Sequence, residues 1–95
     1  MEYKKPSYIK ICHYAILKVL AESNEPKYFN DLVEYTGFEP KYIVSALKRC
    51  YRQDEISKVV RKKTEYTITK QGLKKLKVYD EKLNLGNYWT PPWEE

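Results

Sequence analysis

Gly37-Phe38-Glu39-Pro40-Lys41-Tyr42-Ile43-Val44-Ser45-Ala46-Leu47-Lys48-Arg49-Cys50-Tyr51-Arg52-Gln53 is the stretch on which the reading of the whole chain turns. Glycine enters the left-handed region at no steric cost, so Gly37 is expected to cap the end of a preceding helix. Proline suits a first helical turn, so a new helix is expected from about Pro40 to Gln53. With Leu47 as the centre of its buried face and about 100° per residue, Ile43, Val44, Cys50 and Tyr51 fall within about 60° of that centre. Tyr42, Ser45, Arg49 and Arg52 fall on the far side, with Lys41 and Lys48 flanking. One face is then aliphatic and the other carries cations and hydrogen-bonding groups. Such a division suits a helix that reads DNA, because Arg takes guanine O6 and N7 together, Ser donates or accepts, and Lys meets phosphate. An ordinary amphipathic surface helix also turns charge outward, but it usually mixes signs. Residues 41–63 hold eight Lys/Arg against only Asp54 and Glu55.

Working outward, Phe29 to Thr36 reads as a short helix with Leu32 and Val33 inward, preceded by a possible short strand at Lys27 and Tyr28. Before that, Ser23-Asn24-Glu25-Pro26 stops a longer helix opened by Pro6 and Ser7, with Ser7 as N-cap. In that first helix Ile9, Cys12, Ile16, Val19 and Leu20 follow the spacing of one buried face, and Tyr8, Ile11, Ala15 and Leu17 widen it. So broad a face fits either a well-buried core helix or one shared between core and dimer interface. Past Gln53 the period changes. Ile56, Lys58 and Val60, then Glu65 to Ile68, read as two strands joined at Arg61-Lys62-Lys63-Thr64. That junction lacks the Asn-Gly of the tightest hairpins, which leaves room for a loop a few residues longer. Thr69 is expected to cap a last helix through Leu83, with Leu73, Leu76, Tyr79 (or Asp80) and Leu83 along one side and Gly86 closing it. The paired prolines of the tail predict extended chain. The fold class is mainly α with a small β-hairpin (α+β), in the order α1-(β1)-α2-α3-β2-β3-α4. Residues 1–85 form one domain and residues 86–95 an extended aromatic and proline tail.

The chain has 95 residues, enough for one compact domain and little more. A second subunit would help so small a core. Hydrophobic residues make up 42% and charged residues 33%, a globular balance. The most apolar stretch, Ile9 to Ala21, is broken by Lys10, His13 and Lys18 and is no membrane span. The N-terminus lacks the pattern of a signal peptide, so a cytoplasmic protein is expected, without membrane contact. Net charge is +5, and it is segregated. Residues 1–40 carry 5 Lys/Arg against 6 Asp/Glu, residues 41–79 carry 12 against 3, and residues 80–95 carry 1 against 4. A positive field gathered in one segment is what a polyanion partner requires. Cys12 and Cys50 stand without any C-x-x-C or four-ligand spacing, so no metal and no cofactor is expected, and both read as buried free thiols. A disulfide is the lesser reading. Abundant Lys, Glu, Tyr and Ile with scarce Gln resemble a thermophile profile, and intracellular disulfides do occur in thermophiles.

Gly37 through Cys50, followed by Ile56, resembles the helix-turn-recognition-helix segment of winged-helix regulators of the MarR and PadR type. Tyr66-Thr67-Ile68-Thr69-Lys70-Gln71-Gly72-Leu73-Lys74-Lys75-Leu76 resembles their passage from the second wing strand into the last helix. Together these segments cover about residues 28–76. The whole chain is also similar to compact one-domain winged-helix proteins of archaea and their viruses. The resemblance implies a dimeric DNA-binding repressor or activator, often built on the first and last helices. It places Lys41, Tyr42, Ser45 and Arg49 in the major groove, with Lys48 and Arg52 beside them on the same helix. It places Arg61, Lys62 and Lys63 in the wing, with Lys58 on its first strand. Three residues depart from the pattern: Glu39 where a Ser or Thr cap is frequent, Asp54 where a Gly usually precedes the wing, and Val44 where a polar residue is frequent.

No nucleophile elbow, phosphate loop or metal cluster is legible, so an enzyme is not expected. His13 beside Cys12 on one helix points to a different face. The competing classes are a winged helix used for protein contact and a non-specific architectural DNA-binding protein. Tyr88-Trp89-Thr90-Pro91-Pro92-Trp93 supports the first of these, although packing against its own dimer is the preferred reading of the tail. RNA fits less well than duplex DNA. The sequence thus predicts a homodimer that binds double-stranded DNA in a sequence-specific way as a transcriptional regulator. Helix 40–53 enters the major groove and the basic wing 61–63 lies on the minor groove or backbone, with no small-molecule ligand evident.

Overall fold

Ser7 accepts a hydrogen bond of 3.2 Å from the Lys10 amide and so starts α1, Tyr8–Glu22, as an N-cap should. The computed structural model describes residues 7–23 and 25–92; Pro6 and Asn24, and Trp93 to Glu95 of the tail, lie outside the described residues. After α1 come β1 Lys27–Tyr28, α2 Phe29–Thr36, α3 Pro40–Arg52, β2 Ile56–Val60, β3 Thr64–Ile68 and α4 Lys70–Glu81. Leu85–Asn87 then forms a single 3₁₀ turn. The three strands make one antiparallel sheet in the order β1-β3-β2. Its register pairs Lys27 with Tyr66, Ile56 with Ile68 and Val60 with Thr64. The hairpin loop is therefore only Arg61 to Lys63, shorter than expected.

The first helix is the axis of the core. It packs against α2, α3, α4 and β3. Cys12, Ala15, Ile16, Leu17, Val19 and Leu20 are all buried, and so are His13 and Tyr14. This accounts for the breadth of its apolar face from Cys12 onward, because neighbours from the same chain cover it on nearly every side. Ile9 was expected in that face but is 42% exposed, since it lies on the first turn, beyond the reach of α4. Leu32 from α2, Ile43, Ala46 and Cys50 from α3, and Leu76 and Tyr79 from α4 close the core. Each large aliphatic so buried contributes about 1.5–3 kcal/mol.

Local signals fix the connections. Tyr28 donates its amide to the Asp31 carboxylate at 3.0 Å and starts α2. Gly37 ends that helix at φ +77, donating to the Val33 carbonyl at 3.0 Å. Pro40 opens α3. Asp54 takes φ +59 at the end of α3, a conformation a short polar side chain tolerates better than most. Its carbonyl accepts from the Thr69 hydroxyl at 2.5 Å, and Thr69 in turn caps α4 by accepting from Gly72 at 3.1 Å.

Beside Asp54, Glu55 is buried against His13 of α1, with His13 Nε2 and Glu55 Oε1 sharing a hydrogen bond of 2.5 Å. The Glu55 backbone is tied as well. Its amide donates to Cys50 at 2.9 Å, and its carbonyl accepts from Thr69 at 3.1 Å. Burial holds His13 below its ordinary pKa although the Glu55 carboxyl against it works the other way. Lys75 and Arg49 add a smaller push in the same downward direction.

The C-terminal part departs from expectation. Helix α4 ends at Glu81 rather than Leu83, and Gly86 lies inside the 3₁₀ turn instead of closing the helix. Leu73 and Leu83, expected inward, are 48% and 37% exposed. Gly72, Leu76 and Tyr79 form the buried edge instead. The start of the tail turns back onto the domain rather than running extended from residue 86. Trp89 donates to the Thr36 carbonyl at 2.9 Å and meets the Tyr14 ring edge-on at 6.2 Å, while Pro91 is buried. The Trp89 contact satisfies a carbonyl at the C-terminal end of α2, where helix-end carbonyls lack an internal partner.

Two outcomes follow for stability. A Cβ on Gly72 would fall onto the Glu55 carbonyl oxygen and within 2.6 Å of Ile68 Cγ1. Gly72→Ala therefore lowers the unfolding free energy by about 3 kcal/mol in a denaturant titration, against the gain expected of Ala in an open helix. For His13, the folded pKa lies below the unfolded value of 6.5. Above that value neither state is protonated; below it the unfolded chain takes up a proton that the folded chain resists. The melting temperature is expected to fall as pH drops from 7 to 5, and the slope over that window to flatten in His13→Gln.

Candidate nucleic-acid interface

Helix α3 faces α1 with Ile43, Ala46, Leu47 and Cys50, all buried. The face is rotated toward Ala46 relative to the expectation centred on Leu47. Val44 and Tyr51, expected inward, are consequently 40% and 48% exposed. Lys41, Ser45, Lys48 and Arg52 make the outward face opposite α1, all exposed. Lys41 lies 3.6 Å from Glu39, so that carboxylate offsets the first cation of the row. The Ser45 hydroxyl donates to the Lys41 carbonyl at 3.2 Å, which leaves its oxygen lone pairs facing outward as acceptors.

One residue expected on this face stands apart from it. Tyr42 is half-buried, with its ring edge-on to Tyr8 at 4.7 Å, and its carbonyl receives the Cys12 thiol at 3.7 Å. It belongs to the α1–α3 contact. Arg49 is exposed on the flank nearer α4, where its charge is felt at His13, Cys50 and Tyr79. Arg49 follows Ser45 by four residues and so stays beside the strip, which loses only Tyr42.

The wing stands beside this helix. Lys58 lies over the Tyr51 ring at 4.5 Å from its centroid, which ties β2 to the end of α3. Arg61 pairs with Glu65 at 3.1 Å, and Lys63 lies over Tyr28 at 5.5 Å. Lys62 is exposed at the loop centre. Between α3 and the sheet runs an open groove of about 610 Å³, lined by Phe29, Val44, Leu47, Tyr51 and Tyr66 with Lys48, Arg52 and Lys58 at its edges. Helix, groove and wing thus present cations around an aromatic floor. No signal in the sequence marked that floor, because Phe29 and Tyr66 lie 37 positions apart and meet only through the β1–β3 pairing.

The interior holds a cluster the spacing did not reveal. His13, Cys50 and Glu55 place a nitrogen, a sulfur and a carboxylate oxygen within 4.8 Å of one another, all buried. Their donor types suit zinc, but they are one ligand short of a closed four-coordinate site, and His13 and Glu55 already bond each other. Cys12 and Cys50 are free and buried, as expected. Burial pushes the Cys12 thiol up to about 12 and the Cys50 thiol higher still, so both stay protonated and unreactive.

No family model matches the chain, and no curated protein matches it. Solved structures do. The chain superposes on BpsR of Bordetella bronchiseptica, whose DNA binding is regulated by 6-hydroxynicotinic acid, with a TM-score of 0.68 at 14% identity. A MarR-family transcriptional regulator from Rhodococcus sp. RHA1 gives 0.65 at 18% identity. Both overlaps cover 81% of this chain, which spans only 54% and 58% of those two proteins. A protein from Streptococcus mutans UA159 gives 0.70 at 18% identity over 90% of this chain and 87% of its own. Among the described residues no helix is long and apolar enough to cross a membrane. With α2 and α3 joined through Gly37, a three-stranded sheet ending in a basic hairpin, and these superpositions, the chain folds as a winged helix of the MarR-like kind.

Proposed function

We propose that the protein is a sequence-specific double-stranded DNA-binding transcriptional regulator. The observation that carries this reading is the outward strip of α3, where Lys41, Ser45, Lys48 and Arg52 stand clear of the core beside a hairpin bearing Arg61, Lys62 and Lys63. In that reading α3 enters the major groove with Ser45 accepting from a base edge, and the wing meets the minor groove or the backbone. The likeness to BpsR, a protein whose DNA binding is regulated by 6-hydroxynicotinic acid, supports it. No enzymatic role is assigned. Lys41 and Arg61 are half-neutralised by Glu39 and Glu65 and contribute less than Lys48 and Arg52, which have no ion pair among the described residues.

The reading includes a homodimer. Tyr8 and Ile9 at the start of α1, Leu73 and Val78 on α4, and Leu83 just past its end are exposed apolar residues that a second copy would cover. Two α3 helices of such a dimer would stand about 34 Å apart, one turn of duplex. Sedimentation equilibrium is expected to return twice the 11.4 kDa chain mass, and Leu73→Glu to return the monomer with its helical signal intact.

For DNA, binding to random duplex and to duplex from upstream of the protein's own gene is compared across a salt series. Affinity is expected to fall steeply with salt and to be at least ~10³-fold tighter on the specific sequence. Lys48→Ala with Arg52→Ala should lower the salt slope by about two, one phosphate contact for each charge. Equal affinity for both duplexes would indicate an architectural role, and absence of binding at low salt would indicate a protein-contact module.

A further inference from the structure

Val44 is the aliphatic member of an outward face that is otherwise cationic or hydroxylic. It is 40% exposed. Lys41 precedes it by three residues and Lys48 follows by four, so both are its neighbours on the helix surface, with Ser45 alongside. Tyr51, the other exposed apolar side chain of α3, is engaged by Lys58 of the wing and sits at the C-terminal end. Val44 instead occupies the second turn, in the half of a reading helix that approaches base edges. Its isopropyl group lines the groove between α3 and the sheet, with Lys48 lining the same groove.

The one apolar group that projects from a base pair into the major groove is the C5 methyl of thymine; cytosine shows only a C5–H at that position, and the other groups that mark the base pairs there are hydrogen-bond donors or acceptors. A strip of Lys, Arg and Ser draws α3 to any duplex but discriminates poorly where lysine meets phosphate. An aliphatic group held between two lysines does the reverse. It gains nothing from phosphate and loses contact area unless a methyl meets it. Resting on the DNA-binding reading above, we propose that Val44 is a specificity-determining residue that reads one thymine in each half-site through its 5-methyl group.

The test begins with selection of a duplex site from a random pool by the full chain, followed by single replacement of each thymine with deoxyuridine. That exchange removes one methyl and leaves base pairing unchanged. Wild type is expected to bind about fourfold more weakly when one particular thymine of a half-site is replaced, and to be indifferent to the others. Val44→Ala is expected to bind the parent site about as weakly as wild type binds the replaced one, and to show no further loss on replacement. Val44→Thr keeps one methyl and should retain part of the dependence. Unchanged melting temperatures, expected for so exposed a position, exclude a folding defect. If wild type selects a site but no deoxyuridine exchange weakens it, or Val44→Ala keeps the full dependence, the assignment to Val44 is wrong while the DNA reading stands. If no sequence is enriched at all, the DNA-specific reading itself fails and carries this assignment with it.

Discussion

Glu55 leaves the water at the corner where α3 turns into β2, and its carboxyl meets His13 in the middle of α1. Both side chains are almost wholly buried. Burying two ionisable groups costs several kcal/mol unless each finds a partner, and losing one partner of such a pair costs more than the pair itself contributes. The contact is therefore an exacting one, since it is satisfied only when α1 and the α3–β2 corner sit at one relative position. The backbone of the same corner binds the end of α3 through Cys50 and the start of α4 through Thr69. Gly72 lets α4 approach so closely that a methyl group would collide with the corner. Four elements are thus referred to one residue.

That arrangement has a consequence for the outer surface. The cationic strip of α3 and the hairpin lie on either side of the Asp54–Glu55 corner, so the angle between them is set where the core is closely packed. The lysine over Tyr51 adds a second tie between them at the surface. The proposed DNA-reading surface, made of two elements, would need this, because displacement of the productive geometry by even an ångström forfeits directional hydrogen bonds to base edges. On the opposite side, Trp89 braces the end of α2 at Thr36 and thereby the turn that leads into α3. The helix is held at its beginning by the tail and at its end by the buried pair.

Much of this was legible before any coordinates. Ser7, Gly37, Pro40 and Thr69 each act where their chemistry predicts, because capping and turn signals depend on a few adjacent atoms. The hairpin followed from the change of period past Gln53, and the strand read only as possible at Lys27 and Tyr28 is present. Helix faces were read less well. The wheel centred on Leu47 implies burial for Val44 and Tyr51 because both are apolar, whereas the buried Ile43, Ala46, Leu47 and Cys50 centre the face near Ile43 and Cys50. The same apolar bias put Leu73 and Leu83 in the core. His13 and Glu55 are separated by 42 positions, and no local pattern announces such a partnership. Tyr42 looked polar enough for the surface, yet its ring was needed beneath Tyr8.

The misplacement of Val44 bears on function more than the others do. On a core face an aliphatic side chain needs no explanation, whereas on a cationic strip it forgoes both phosphate attraction and hydration. Segregated charge by itself argues only for a polyanion, since the field of residues 41–79 is felt equally by any sequence. Discrimination must come from groups that do not follow charge. In α3 those groups are Ser45, whose proton is held by the Lys41 carbonyl so that an acceptor faces out, and Val44 beside it. One asks for a donor at the base edge and the other for a methyl, and they sit next to each other on the same turn. In the proposed DNA reading the lysines around them would supply affinity, and this small uncharged pair would make that affinity depend on sequence.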